Sequence, residues 1–225
     1  YYDDQLKRLW IGTGSAGLFY YDIIRKSLSD IPIRNFPKQP ILAIRKDAKN
    51  TLLIGIDGQG IWNISEKGDT ILHIYKEDLN NPFSLRGDGV YDILCDGSKN
   101  WIATFTGKLS FFENNNSQIT PVTYQINNPN SLGNNYVNQI IEDHEGHIWF
   151  ATNNGVSRWD AASNKWKHYY QNKSEQAKVF LSLCEDNQGH IWAGSYSSGI
   201  YLLDRETGKT LKHYSSKTNT PGFTG

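Results

Sequence analysis

Residues 143–156 read DHEGHIWFATNNGV. An Asp is followed by a short turn with a Gly, then an apolar run of Ile148, Trp149 and Phe150, then a polar loop ending at Gly155. A close copy, DNQGHIWAGSYSSGI, occupies 186–200. Looser copies are DQLKRLWIGTGSAGL at 4–18, DAKNTLLIGIDGQGI at 47–61 and DGSKNWIATFTGKL at 96–109. The anchor positions Trp10, Leu53, Trp101, Trp149 and Trp192 are separated by 43, 48, 48 and 43 residues. A fixed period in this range is the mark of a repeat array, in which each unit is too small to bury its own apolar face and must stack on its neighbours.

Each copy divides into four strand-sized runs. The first precedes the turn: ILAIRKD at 41–47, VYDILCD at 90–96, YVNQIIED at 136–143 and VFLSLCED at 179–186. Its density of apolar residues predicts a strand buried on both sides. The second carries the anchor followed by small residues that let backbones approach closely. The third starts at a Gly: GLFYYD at 17–22, GIWNIS at 60–65, GKLSFFE at 107–113, GVSRWD at 155–160 and GIYLLD at 199–204. The fourth is the most polar, as an outer edge strand should be: KSLSDIPI at 26–33, TILHIYK at 70–76, ITPVTYQ at 119–125, KWKHYYQ at 165–171 and KTLKHYS at 209–215. No segment holds helical periodicity. The reading is all-β: a β-propeller of four-stranded antiparallel blades, about five of them, forming part of a larger ring. The repeats run approximately 1–40, 41–89, 90–135, 136–178 and 179–225, as one partial propeller domain. Copy 1 is expected to lack its first strand. Long connectors at 80–89 and 127–136 account for the wider spacings; NKSEQA at 172–177 is shorter, and the tail SSKTNTPGFTG resembles the start of another long connector.

Lys plus Arg and Asp plus Glu both total 23, so the formal charge is zero. Without a basic run, neither nucleic acid nor an anionic membrane surface is an expected partner. No apolar stretch reaches the roughly 18 residues that span a bilayer. The chain has no Met, even at position 1, and opens inside a repeat; a segment of a longer polypeptide is expected, with any signal peptide or anchor outside it. Cys95 and Cys184 each end an apolar strand and are expected to be buried free thiols, too far apart for a disulfide.

The copies resemble the two-component regulator propeller repeat: Asp, a turn with Gly, Ile-Trp, a small pair, Thr, a second turn with Gly, and an apolar strand ending in Asp. Residues 143–160 and 186–204 follow it nearly residue by residue. Copy 1 keeps Leu9-Trp10-Ile11-Gly12-Thr13 and Gly17 without the turn Gly, copy 2 has Leu53 for Trp, and copy 3 has a shorter turn. The Asn-Pro-x-Ser-Leu connectors at 81–85 and 128–132 fit as well. The resemblance implies the periplasmic, extracytoplasmic part of an inner-membrane sensor of the Bacteroides-type hybrid two-component systems. There, propellers bind oligosaccharides and relay to a cytoplasmic histidine kinase absent from this chain. A homodimer formed through the full ectodomain is also implied. No catalytic residue and no cofactor carries over. Alternatives are an enzyme of the streptogramin-lyase-like propeller type and a purely structural dimerisation propeller.

The residues themselves carry little catalytic chemistry. His147 and His190 share one repeat position; His168, His213 and His73 share another. Recurrence by copy points to structure rather than metal ligation or catalysis, and no metal site is expected. His144 stands alone in a turn and is expected to be solvated. Asp47, Asp96, Asp143 and Asp186 recur before the turn, where a carboxylate accepts backbone N–H groups. The anchors are expected at blade–blade seams. The variable loops between second and third strands are the candidate ligand face, offering Ser15, Asp57, Gln59, Phe105, Asn153, Asn154, Tyr196 and Ser197. There the aromatic rings stack on sugars and the polar side chains take hydroxyls.

Overall fold

The structure, a computed structural model, describes residues 1–171 and 178–215. The connector at 172–177 and all but the first residue of the C-terminal tail lie outside the described residues. Among the described residues there is no helix; the chain forms five four-stranded antiparallel sheets, each built from consecutive strands in simple up-and-down order. These are β-propeller blades. Blade 1 contains β1 (Tyr2–Asp3), β2 (Arg8–Gly12), β3 (Leu18–Asp22) and β4 (Ser27–Asp30). Blade 2 contains β5 (Ile41–Lys46), β6 (Leu52–Ile56), β7 (Gly60–Ile64) and β8 (Ile71–Tyr75). Blade 3 contains β9 (Val90–Cys95), β10 (Lys99–Thr104), β11 (Lys108–Glu113) and β12 (Asn116–Val122). Blade 4 contains β13 (Val137–Glu142), β14 (Ile148–Thr152), β15 (Gly155–Asp160) and β16 (Lys165–Tyr169). Blade 5 contains β17 (Phe180–Glu185), β18 (Ile191–Ser195), β19 (Ile200–Leu203) and β20 (Thr210–Tyr214).

The chain forms two compact units, Tyr1–Pro121 and Val122–Gly225. The first holds blades 1 to 3, β12 running one residue beyond it. The second holds blades 4 and 5. Within each unit, sheets bury apolar faces against one another. In the first, Trp10, Leu18 and Ile31 of blade 1 pack on Ile44, Leu52, Ile54 and Ile64 of blade 2. Leu53, Ile61 and Tyr75 of blade 2 pack on Val90, Ile93, Ile102 and Phe112 of blade 3, with the Tyr75 and Phe112 rings stacked 4.7 Å apart. In the second unit Trp149, Ala151, Val156 and Tyr169 pack on Phe180, Leu183, Ile191, Ala193 and Leu203. Each large apolar side chain so buried contributes about 1.5–3 kcal/mol. An isolated sheet would leave this face in water, which is why one repeat cannot stand alone. Trp10, Leu53, Trp101 and Trp149 are all at most 2% exposed. Trp192 is half-buried, beside a groove of about 550 Å³ that Leu202 and Leu211 also line.

Three strand expectations need correction. The first strand is not buried on both sides. It is one edge of its sheet, so β9 buries Val90, Asp92 and Ile93 but leaves Tyr91, Leu94 and Cys95 half-exposed. The second strand has a hydrogen-bonded neighbour on each side, and β6 and β14 are buried at every residue. Copy 1 does keep a stub of its first strand. Tyr2 and Asp3 pair with Leu9 and Arg8, and Tyr1 exchanges backbone bonds with Trp10. Finally, β12 starts at Asn116, three residues before the expected ITPVTYQ, because only Asn114 and Asn115 separate it from β11.

The Gly that opens the third strand has a steric cause. At Gly199 the backbone has φ +83° and an added Cβ would lie 2.0 Å from the Tyr214 carbonyl oxygen of β20. Only a residue without a side chain lets the loop enter the sheet there.

Candidate functional site

At the end of each second strand opposite the variable loops, the recurring Asp holds the frame. Asp143 Oδ1 accepts N–H bonds from Glu145 (3.0 Å) and His147 (2.9 Å), while Oδ2 accepts the Trp149 indole N–H at 2.8 Å. Asp96 and Asp186 do the same for Trp101 (2.8 Å) and Trp192 (3.0 Å). One carboxylate therefore closes the turn and fixes the anchor ring. Burial alone would push the Asp143 carboxyl up; the Trp149 and His147 donors outweigh it and hold it below the usual range. The His190 backbone N–H leads the set of donors that brings Asp186 down to about 2. In copy 2, where the Leu53 side chain has no donor, the Thr51 hydroxyl donates to Asp47 Oδ2 instead, at 2.9 Å. In copy 1 the turn carboxylate is Asp3, and the Lys46 ammonium takes its Oδ2 at 3.1 Å. The Trp10 indole N–H is left without a partner among the described residues.

The histidines belong to this frame. His147 and His190 Nδ1 lie 3.1 and 3.3 Å from the Oδ2 of Asp143 and Asp186. His168 Nε2 faces the Pro129 carbonyl at 3.2 Å, and a carbonyl can only accept, so Nε2 carries the proton. Nδ1 then accepts from the Ser157 hydroxyl at 3.1 Å. Burial lowers the His168 pKa, in keeping with a neutral ring. His144 is not alone in its turn: its Nδ1 bonds Glu185, and Arg205 Nη1 approaches within 3.1 Å of the ring. The thiols are free, Cys95 half-buried and Cys184 exposed, so the expectation of two buried thiols holds for neither in full. Burial, with Asp47 nearby, pushes the Cys95 thiol up to about 12. Among the described residues no group of three or more His, Cys, Asp or Glu is arranged to hold a metal.

The candidate ligand residues sit at the loop tips after the second strands. In blades 2 to 5 the first loop residue is Asp57, Phe105, Asn153 or Tyr196. Its backbone N–H donates to the carbonyl just before the first strand of its own blade: Pro40 (2.9 Å), Gly89 (2.7 Å), Tyr136 (3.0 Å) and Val179 (2.9 Å). The backbone is pinned and the side chain is left to vary. Phe105 is 63% and Tyr196 75% exposed; Ser15, Asp57 and Ser197 are exposed too. Gln59 is half-buried and its Oε1 accepts from Lys76 Nζ at 3.2 Å. Asn153 Oδ1 accepts from Asn138 at 2.9 Å. Asn154 lines a groove of about 600 Å³ in the second unit with Tyr124, Gln125, Asn128 and Gln171, and with Leu132 and His168.

A second set of residues was not foreseen. In every blade with a full first strand, the second residue of that strand is an unpaired bulge: Leu42, Tyr91, Asn138 and Leu181. A bulge re-aims one side chain out of the ladder. Tyr91 thereby meets Phe105, with ring centroids 5.3 Å apart and edge to face, and Asn138 reaches Asn153. The sequence does carry a signal for this set, since the position is Leu, Tyr, Asn and Leu in successive copies while the residue before it stays apolar: Ile41, Val90, Val137 and Phe180.

The architecture and the pinned, variable loop tips define a β-propeller protein with its candidate site on the loops. Residues 131–154 and 174–197 match the two component regulator propeller family, so the chain carries that repeat in these two stretches. Among solved structures it is similar to the extracellular domain of the putative hybrid two component system BT3049 from B. thetaiotaomicron, with TM-score 0.53 and 20% identity. That match covers 76% of this chain and 29% of the other, so the chain spans under a third of that domain. It is similar as well to the β-propeller domain of Myceliophteria thermophila Cps50 (TM-score 0.61, 12% identity, 91% of this chain and 64% of that one). A third similar structure is the computationally designed Ika8 protein (TM-score 0.65, 11% identity, 92% and 58%). At these identities the likeness is one of fold. Curated protein sequences give no match.

Proposed function

We propose that this chain is the ligand-sensing propeller segment of a periplasmic two-component sensor, that it recognises an oligosaccharide through its loop tips, and that it relays occupancy to a cytoplasmic histidine kinase elsewhere in the polypeptide. The observation that carries the reading is the contrast within each blade. The Asp, Gly and anchor positions repeat because they build the sheet, while the next residue after the second strand is pinned in each of blades 2 to 5 through its backbone N–H and changes from Asp to Phe to Asn to Tyr. Exposed aromatics with half-buried amides at such positions suit the apolar faces and hydroxyl edges of sugar rings. The family match and the similarity to the extracellular domain of BT3049 support the sensor context. Binding shifts the sensor only if one of its conformations holds the ligand more tightly than the other. Isothermal titration of the ectodomain against an oligosaccharide panel tests the proposal. Heat with a restricted set of glycans is expected; a folded ectodomain that binds none of them contradicts it.

A further inference from the structure

We infer that Tyr91, Phe105 and Asp57 form one sugar subsite, and that it selects a neutral or amino sugar over an acidic one. The inference rests on the proposed oligosaccharide reading and names the ligand class of the rim shared by blades 2 and 3. Gly89 is the floor of this rim. A Cβ built there would lie 3.1 Å from Phe105 Cβ and 3.3 Å from Asp57 Oδ1, so the phenyl group and the carboxylate flank one backbone position. The bulge at Tyr91 brings a second ring edge to face with Phe105. Phe105 is 63% exposed, and its six-membered ring matches a pyranose ring in size.

The polar groups around the rings are unspent. Among the described residues neither the Asp57 carboxylate nor the Tyr91 hydroxyl makes a hydrogen bond, whereas Asp22, Asp47, Asp96, Asp143 and Asp186 are each tied into their own turn. Asp88, the next acid along the rim, already accepts the Glu77 backbone N–H at 2.7 Å. Lys76, the near cation, is turned to Gln59, and Arg86 to the Pro82 carbonyl. Among the described residues no Lys or Arg stacks on Phe105 or Tyr91. The rings thus have an unbonded carboxylate beside them, while the donors of Lys76 and Arg86 are taken by neutral oxygens. Asp57 raises the Tyr91 pKa after burial does, which places its charge within electrical reach of the site. A sugar with its C–H face on Phe105 can donate hydroxyls, or an ammonium, to Asp57 and exchange a bond with Tyr91. A uronate or sulfate would bring like charge against Asp57.

The test is titration of the 225-residue chain with a panel of neutral, amino and acidic oligosaccharides, including cellotetraose, chitosan tetrasaccharide and tetragalacturonate. Neutral or amino members are expected to bind and acidic ones not. Phe105→Ala should then weaken binding about tenfold by losing the stack. Tyr91→Phe should weaken it several-fold by losing one hydroxyl, with an unchanged melting temperature. Asp57→Asn should keep neutral sugars, lose the advantage of amino sugars and admit the acidic ones. If a glycan binds but Phe105→Ala and Tyr91→Phe leave its affinity unchanged, or if acidic sugars bind the unaltered chain best, the inference falls while the oligosaccharide reading stands. If no member of the panel binds, both fall.

Discussion

Replacing Trp149 by Phe isolates the bond that joins turn to seam. The residue is 0% exposed, its ring stacks on Tyr169 at 5.3 Å, and its indole N–H donates to Asp143 Oδ2 at 2.8 Å. Phe keeps a ring in the stack but supplies no donor. A hydrogen bond to a charged group contributes about 1.5–3 kcal/mol, and its loss leaves the Asp143 carboxylate under-satisfied where water cannot reach. The volume lost from the seam adds about 1 kcal/mol. The expected deficit in urea unfolding is therefore about 3 kcal/mol, or a melting temperature lower by roughly 6–12 °C for a chain this size. The deficit also depends on pH with a definite sign. Asp143 is held below its ordinary range, so its contribution is complete above the unfolded carboxylate value of about 3.9 and is lost as pH falls through the lower folded value. The gap between variant and parent must narrow in that acidic window. Copy 2 suggests the repair: Thr51, at the position of His147, supplies the missing donor there, so adding His147→Thr to Trp149→Phe should recover about 1 kcal/mol. A deficit below about 1 kcal/mol, or one that is flat down to the acid limit, would refute the role given to the Asp–indole bond.

Three further outcomes follow from the same geometry. With a disulfide reagent at neutral pH, exposed Cys184 should react at once and Cys95, pushed up to about 12, only on unfolding; two fast thiols would contradict the burial of Cys95. Gly133→Ala places a Cβ 2.4 Å from Gln171 Nε2, 2.6 Å from Ser157 Oγ and 2.9 Å from His168 Nδ1. It should cost about 1–3 kcal/mol in a denaturant melt, and a neutral result would mean that the connector does not seat as described. Because burial lowers the His168 pKa, unfolded chains bind its proton first, so stability should decline as pH falls from about 6.5 and level off below the folded value. His168→Gln should flatten that decline, and an identical slope in both proteins would rule out the neutral ring.

Much of the fold was legible because the repeat writes its structural needs at fixed positions. Asp143 and Asp186 close turns, Gly155 and Gly199 admit the third strand, and the anchors Trp10, Leu53 and Trp149 pack between blades, so each recurs at one offset. What was hidden depends on neighbours distant in sequence. The burial of β6 rather than β5 follows from sheet order, which an apolar count cannot reveal. The ties of His144 to Glu185 and Arg205 join residues 41 and 61 positions apart. The candidate site was half legible. Asp57, Phe105 and Tyr196 stand out as variable loop tips, but Tyr91 sits within an apolar strand, and only the bulge turns it toward Phe105. Alternation alone would have assigned it to one face of a regular strand.

The proposal that ligand is read by loop tips, while the repeated frame only holds them, is tested most directly by a crystal structure of the chain with its tightest oligosaccharide. The predicted result is a sugar ring lying on Phe105 with a hydroxyl or amine at Asp57, and the Asp143–Trp149 frame untouched. A ligand seated instead on the polar outer strands, with Phe105 and Tyr196 still bare, would contradict it.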